Sequence, residues 1–474
     1  MSGRKAAKDI RPGNMALSVG NPKLDIPNGW IWADLGEIAT MATGHTPSRN
    51  YPEYWGGDIP WISVKDARPF HSKTIFSTNE NTNDLGISKS AAVVLPKGTV
   101  CLSRTGSIGY SIILGKEMAT SQGFINWICS FGLLPRYLQL LFVAENTFLH
   151  TISEGVAHTT IYFPEAKAFH IALPPLAEQQ RIVAKIEELF SELEKGIEIL
   201  KTAQQQLKVY RQAVLKYAFE GKLTNPDVKE GELPEGWEYK KISDIAKINP
   251  TLPNKEVIDR NLIVQFLPMK LVEEIVNKIH LTETRKYADV LKGSYTPFID
   301  NDIIFAKVTP CMENGKIAIV NNLMNGIGFG SSEFHVLRCN DKILNSYLHR
   351  FIVQDKFRNE AQKAMTGAVG LRRVPKQFIE TYSIPVPNTL EEQSKIIQEI
   401  ESRLSVCDKI EESIIQGLQQ AEALRQSILK RAFEGKLVPQ DPNDEPASVL
   451  LERIKAERAA AQPEKKTKTK KVKA

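Results

Sequence analysis

The chain has 474 residues, a formal net charge of +6, 42% hydrophobic and 24% charged residues. This is the composition of a globular protein with roughly three domains' worth of chain, and it excludes collagenous and low-complexity architectures. The most apolar run, Phe124 to Ala144, is broken by Asn126, Pro135, Arg136 and Gln139, so no membrane span is expected.

Residues 1–22 are basic and polar without an apolar core, which predicts a flexible leader and no secretory signal. A first domain is expected over 23–173, opening on Pro27-Asn28-Gly29-Trp30. Short β-like runs follow at Ile59–Ser63, Gly98–Ser103 and Tyr110–Leu114, then a helical stretch near Pro135–Thr151. The exit is Leu173-Pro174-Pro175, and a long helix is expected over 174–224. After a linker at 225–233 the phrase returns as Pro234-Glu235-Gly236-Trp237. A second domain at 234–387 carries strand-like runs at Leu262–Phe266, Asp302–Ala306 and Ile317–Val320 and a helical stretch near Ile343–Lys363. It leaves through Pro385-Val386-Pro387 into a second long helix at 388–438. A basic tail at 439–474 closes the chain, rich in lysine from Lys465 to Lys473. The fold class is therefore mixed α/β (α+β), written twice, with two long helices.

The long helices carry the clearest repeat. Leu176–Leu223 and Leu390–Leu437 align without a gap from Glu178/Glu392 to a shared Ala-Phe-Glu-Gly-Lys-Leu ending. Alternating steps of four and three predict a coiled-coil seam through Ile182, Ile186, Leu189, Leu193, Leu200 and Leu207. Gly196 breaks it. The second seam runs through Ile396, Ile400, Cys407, Ile410, Ile414, Ala421, Leu424 and Ile428, with Arg403 and Gly417 inside it. Each helix would be a rod of ~60 Å. Such a stripe needs a partner, and the other copy is the obvious one.

Catalytic signatures are missing. Gly221-Lys222, Gly315-Lys316 and Gly435-Lys436 lack the following Ser or Thr of a phosphate-cradling loop. Gly326-Ile327-Gly328-Phe329-Gly330 lacks dinucleotide spacing and reads as a turn. No Asn/Asp-Pro-Pro-Tyr/Phe tetrapeptide is present to hold an extruded adenine. The eight histidines show no metal-ligand spacing. Glu220-Gly221-Lys222 and Glu434-Gly435-Lys436 match part of a nuclease motif, but a glycine then a lysine at a helix end is an ordinary cap. Five cysteines without a Cys-x-x-Cys pair suggest reduced, buried thiols and a cytoplasmic location.

Several motifs carry a family resemblance. They are Gly44-His45-Thr46-Pro47-Ser48, Tyr54-Trp55-Gly56-Gly57-Asp58-Ile59-Pro60-Trp61, Leu173-Pro174-Pro175-Leu176-Ala177-Glu178-Gln179-Gln180, the doubled helix ending, and Glu445-Pro446-Ala447-Ser448-Val449-Leu450-Leu451. With them the chain resembles the specificity subunit of type I restriction–modification systems over residues 23–460. The second domain lacks the Thr-Pro-Ser and Trp-Gly-Gly elements and is a different recognition subtype. The resemblance implies two target recognition domains, each reading half of a bipartite, asymmetric DNA site, with the helix pair setting the gap. It implies no catalysis and no cofactor in this chain. S-adenosylmethionine, ATP and Mg²⁺ belong to the partners, two methyltransferase subunits and the restriction/translocase subunits, with double-stranded DNA as target and no membrane.

Under that resemblance, the DNA-contact candidates are loop residues able to reach phosphates or base edges. They are Lys65, Arg68, Arg104, Thr105, Ser107, Gln122, His158 and Thr159 in the first domain. In the second they are Lys307, Thr309, Lys316, Ser332, Arg372 and Arg373. Two other readings are a coiled-coil scaffold without DNA specificity and a self-contained nuclease.

Overall fold

The computed structural model describes residues 9–153, 159–368 and 370–461. The chain forms two compact units, Met1–Glu198 with Leu418–Ala474, and Ile199–Gly417. The division falls inside the long helices, Leu176–Phe219 and Leu390–Phe433, so each unit owns half of each helix.

The first unit is built on a five-stranded sheet in the order Ala39–Thr43, Phe124–Cys129, Val100–Ser103, Ser111–Leu114, Thr74–Ile75. Strand alternation explains the apolar run. Ile125 and Trp127 face the large core, while Phe124 on the opposite face joins Cys101, Ile112 and Leu114 in a smaller one. A strand buried on both faces reads as continuously hydrophobic. The large core receives Ile182, Ile186 and Phe190 from the first long helix and Ile428, Leu429, Ala432 and Phe433 from the second.

The expected leader is not flexible across its whole length. Leu17–Val19 is a buried strand paired with Phe169–Leu173, which also pairs with Ile31–Asp34. The arm is fastened by Glu145, whose carboxylate accepts backbone N–H bonds from Asn14, Met15, Ala16 and Leu17 at 2.6–3.3 Å. Burial pushes the Glu145 pKa up while those four donors pull it down, and burial prevails.

The second unit repeats the plan with the sheet order Ala246–Ile248, Phe334–Cys339, Ile303–Ala306, Ile317–Ile319. A further sheet runs Glu283–Lys286, Ile263–Leu267, Ile327–Gly330, Thr296–Ile299. The glycine cluster at 326–330 is thus largely strand, not turn. Gly328 is required because a Cβ there would lie 2.1 Å from the Phe298 ring.

The repeat is exact enough to pair contacts one by one. Trp30 Nε1 donates to Glu178 at 3.0 Å, and Trp237 Nε1 to Glu392 at 2.8 Å. Tyr137 OH donates to Ala172 O, and Tyr347 OH to Pro385 O. Gly435, ending the second long helix, packs on Pro27, while Gly221, ending the first, packs on Pro234. Both glycines have positive φ, 68° and 77°, and a Cβ would come within 2.3 Å and 2.2 Å of those prolines. The nuclease-like Glu-Gly-Lys triplets are therefore helix caps.

Where the units differ, the sequence compensates. Among the described residues Ser383–Pro387 pairs only with Trp237–Lys241. In the first unit Ala172 donates its N–H to Ala16 of the arm, and its counterpart here is Pro385, which has no N–H to offer. Proline blunts a strand edge that no arm covers. Likewise the C-terminal helix Ala447–Ala461 seats Ile454 and Leu450 over Gly132. The position matching Gly132 in the second unit is Lys342, whose side chain is exposed.

The helices are antiparallel, as partner numbering within each unit shows. In the first, Glu194 meets Arg425; in the second, Leu200 meets Gly417 and Arg211 meets Asp408 and Glu411. The seam corrects the expected one by one position in each heptad. Ile182, Ile186, Leu207, Ile396, Ile400, Ile414 and Ile428 are buried, and Leu189, Leu193 and Leu200 are half-buried. Leu424 is 52% exposed and Ile410 44%, so neither belongs to it. The companion positions are instead Phe190, Ile197, Gln204 and Arg211 on one helix, and Leu404, Glu411, Leu418 and Arg425 on the other. Charged residues on this track find partners across the pair: Arg211 lies 2.7 Å from Asp408 and 2.9 Å from Glu411, and Arg425 stacks on Phe190 at 4.5 Å. Gly196, off this seam and exposed, breaks nothing.

Candidate nucleic-acid interface

In the first unit three loops meet at one end of the five-stranded sheet. Strand Val100–Ser103 runs into Arg104, whose N–H donates to Gly123 O at 2.8 Å and whose carbonyl accepts from Ile161 N–H at 2.9 Å. Thr105 and Thr160 share a hydroxyl hydrogen bond at 2.8 Å. A Cβ on Gly123 would lie 2.8 Å from Val64, so glycine lets the short helix Val64–Ala67 approach. The Gly44–Ser48 turn closes the group: His45 N–H donates to Thr120 O at 2.8 Å, and Thr46 Oγ1 bonds Gln122 Oε1. A Cβ on Gly44 would lie 2.1 Å from Ser121 O, which accounts for that glycine.

Lys65 and Arg68 are exposed on and just after this short helix. The helix is held by a capping box in which Asp66 binds Ser63 and also Asn79. Burial pushes the Asp66 carboxyl up, but the hydrogen bonds from Ser63 and Asn79 outweigh it and leave it below the ordinary range. Arg104 lies over the Phe163 ring at 4.3 Å, and burial draws its pKa down. Its Nε and Nη1 are buried without a hydrogen-bond partner among the described residues. Ser107, Gln122 and Thr159 are exposed around this end, with the Ser107 carbonyl held by Ser103 Oγ at 2.5 Å.

The second unit places Lys307 where Arg104 stands. Its N–H donates to Glu333 O at 2.9 Å and its carbonyl accepts from Val374 N–H at 2.8 Å. Arg372 and Arg373 come alongside: Thr309 N–H donates to Arg372 O at 3.1 Å, and Arg373 bridges with Val308 and Thr366. Arg373 makes a two-pronged pair with Glu333 at 2.9 and 2.7 Å, which holds the Glu333 carboxyl below its ordinary range. Ser332 is exposed beside it. Thr309 Oγ1 donates to Glu313 at 3.1 Å.

The structure therefore gathers Arg104, Thr105, Gln122 and Thr159 at one end of the first unit, and Lys307, Thr309, Ser332, Arg372 and Arg373 at the matching end of the second. Lys316 points elsewhere: its ammonium donates to the carbonyls of Met269 at 3.3 Å and Val272 at 2.9 Å, inside the domain. His158 lies outside the described residues. Sequence reasoning passed over Glu333 and the Gly44–Ser48 turn as site elements. The turn's Gly-His-Thr-Pro-Ser signature was visible, and only its proximity to Gln122 was not.

Among the described residues no group of three His, Cys, Asp or Glu side chains could hold a metal, and no helix is long and apolar enough to cross a membrane. The model of the type I restriction modification DNA specificity domain matches residues 27–202 and again 234–420. The type I restriction enzyme EcoAI specificity subunit of Escherichia coli is 38% identical over 285 residues, 51% of this chain and 48% of the relative. Against that relative the chain thus matches about half the length. The EcoDI specificity subunit of Escherichia coli is 29% identical over 464 residues, covering 92% of this chain and 97% of the relative. In fold, the crystal structure of the HsdS subunit from Thermoanaerobacter tengcongensis superposes with a TM-score of 0.58 at 19% identity, over 88% of this chain and 99% of that one. Matched twice along most of its length by one family model, the chain belongs to the type I restriction–modification DNA specificity family.

Proposed function

We propose that this chain is the non-catalytic DNA-reading subunit of a type I restriction–modification complex, in which each domain reads one half of a bipartite, asymmetric site. The observation that carries this reading is the pair of matched but chemically unlike loop clusters. One scaffold position holds Arg104 in the first unit and Lys307 in the second, and the neighbouring pair is Gly123 with Thr160 against Glu333 with Arg373. Equivalent frames with different side chains present different donor and acceptor patterns to a major groove, so the half-sites differ. Lys65, Arg68 and Arg372 serve the phosphates, which position the domains without reading sequence.

The helix pair sets the gap between half-sites and docks two methyltransferase subunits. In the second unit the helices flank an open, mainly apolar groove of about 460 Å³, where Leu207, Tyr210, Val406 and Ile410 lie beside the polar Gln206 and Arg403. Exposed apolar surface on a helix pair marks a partner-binding face. The methyltransferase partners supply S-adenosylmethionine, and ATP- and Mg²⁺-dependent restriction subunits join the assembly in the cytoplasm.

Gel shifts of the chain with its methyltransferase subunits, on host genomic fragments that carry the site and on random duplexes, test this reading. A preference of at least about a thousandfold for cognate duplex at physiological salt is expected. Equal binding to both favours the scaffold reading. Plasmid cutting by the clean chain with Mg²⁺ alone favours the nuclease reading.

A further inference from the structure

We infer that Arg104 is a base-reading residue that selects guanine in the half-site of the first domain, an inference that rests on the DNA-reading function proposed above. The backbone of Arg104 is fixed on both sides, by Gly123 O at 2.8 Å and Ile161 N–H at 2.9 Å. Its guanidinium lies on the Phe163 ring at 4.3 Å. Yet among the described residues the Nε and Nη1 donors, both buried, have no hydrogen-bond partner. Buried donors without acceptors are costly and rare in folded proteins, so such a group points to an acceptor supplied by a ligand.

The setting separates base reading from phosphate binding. Phosphate contacts suit exposed cations, as Lys65 and Arg68 are. Arg104 is instead half-buried and stacked, with its freedom already restricted, and the hydroxyl pair of Thr105 and Thr160 lies beside it. A guanidinium offers a two-donor edge through Nη2 with either Nε or Nη1, so Arg104 would meet a planar acceptor pair by turning outward and carrying one of its orphaned donors to the base. Guanine O6 and N7 are that pair in the major groove, and cytosine, thymine and adenine do not offer it. The matching position of the second domain is Lys307, a compact cation without the fork, so the two domains present different donors there.

The test uses the complete complex with its methyltransferase subunits, comparing Arg104→Lys, Arg104→Ala and the parent chain on every single-base variant of the cognate duplex. At one guanine of the first domain's half-site, the parent should discriminate about tenfold to a hundredfold against other bases. Arg104→Ala should lose that discrimination there alone and Arg104→Lys should weaken it, both leaving the other half-site intact. Arg104→Lys keeps a cation on Phe163, so it separates reading from folding. A uniform loss across all duplexes, with a shallower salt dependence, would make Arg104 a phosphate contact and overturn the inference. Unchanged discrimination would overturn it too. Absence of any sequence preference in the parent would instead remove the DNA-reading function itself.

Discussion

A chain carrying one extra heptad in each long helix, between Glu198 and Ile199 and between Gly417 and Leu418, is expected to lose its original site and acquire one with a wider gap. Those points are where one compact unit passes to the other. Seven residues add ~10 Å of helix, and about 3 bp of B-DNA span that length. Seven also preserves the seam, because its buried positions recur every seven residues, as at Cys407, Ile414, Ala421 and Ile428. Methylation of plasmids carrying the two half-sites at graded separations would read the change directly. Retention of the original spacing at full strength would mean that the helices do not set the gap. A four-residue insertion at the same two points is the control: it interrupts the seven-residue recurrence of the seam where one unit passes to the other, and should weaken assembly without creating a new gap.

The second large effect concerns how each domain is fastened to its helix. Gln179 is fully buried at the start of the first long helix. Its Nε2 donates to Gly132 O at 3.0 Å and Pro174 O at 3.1 Å, and its Oε1 accepts from Leu134 N–H at 3.0 Å. Gln393 repeats the arrangement with Lys342 O, Pro387 O and Leu344 N–H. Leucine at either position keeps the approximate volume but strands one backbone donor and two acceptors away from water. Each stranded group costs about 1–3 kcal/mol, so Gln179→Leu and Gln393→Leu should each destabilise by about 3–5 kcal/mol. Denaturant melts followed by tryptophan fluorescence should show nearly equal costs. A loss below about 1 kcal/mol at either site would mean that the side chain is not the fastener.

Much of this design was legible because it obeys short-range rules. The doubled helix needed only its four-three spacing, and its start and stop needed only Pro175, Pro387, Gly221 and Gly435. The strand runs at Val100–Ser103, Ser111–Leu114 and Ile303–Ala306 followed from β-branched and apolar runs between turns. What escaped was set by distant partners. The strand Leu17–Val19 looked like leader because its acceptor, Glu145, lies more than a hundred residues away. The seam slipped by one residue per heptad because the inward track carries Gln204, Arg211, Glu411 and Arg425, which a search for apolar spacing passes over. Their partners, such as Asp408 and Glu411 for Arg211, are seen only once the helices are paired.

The site divided along the same line. Loops can be named from Gly, Ser, Thr and Arg in sequence, and Arg104 and Lys307 fell on equivalent positions without any knowledge of their pairing. Lys316 looks the same in sequence as Lys307. Its fate was settled by the carbonyls of Met269 and Val272, which only the folded chain brings near. Arg373 is likewise tied to Glu333, a partner no local pattern announces.

The most direct test of two unlike readers at a fixed separation is the position of every methylated adenine in the host genome, read by long-read sequencing with and without this chain. Two different half-sites with one invariant gap, lost when the chain is deleted, are predicted. A continuous or palindromic motif, a variable gap, or a pattern unchanged by deletion would contradict it.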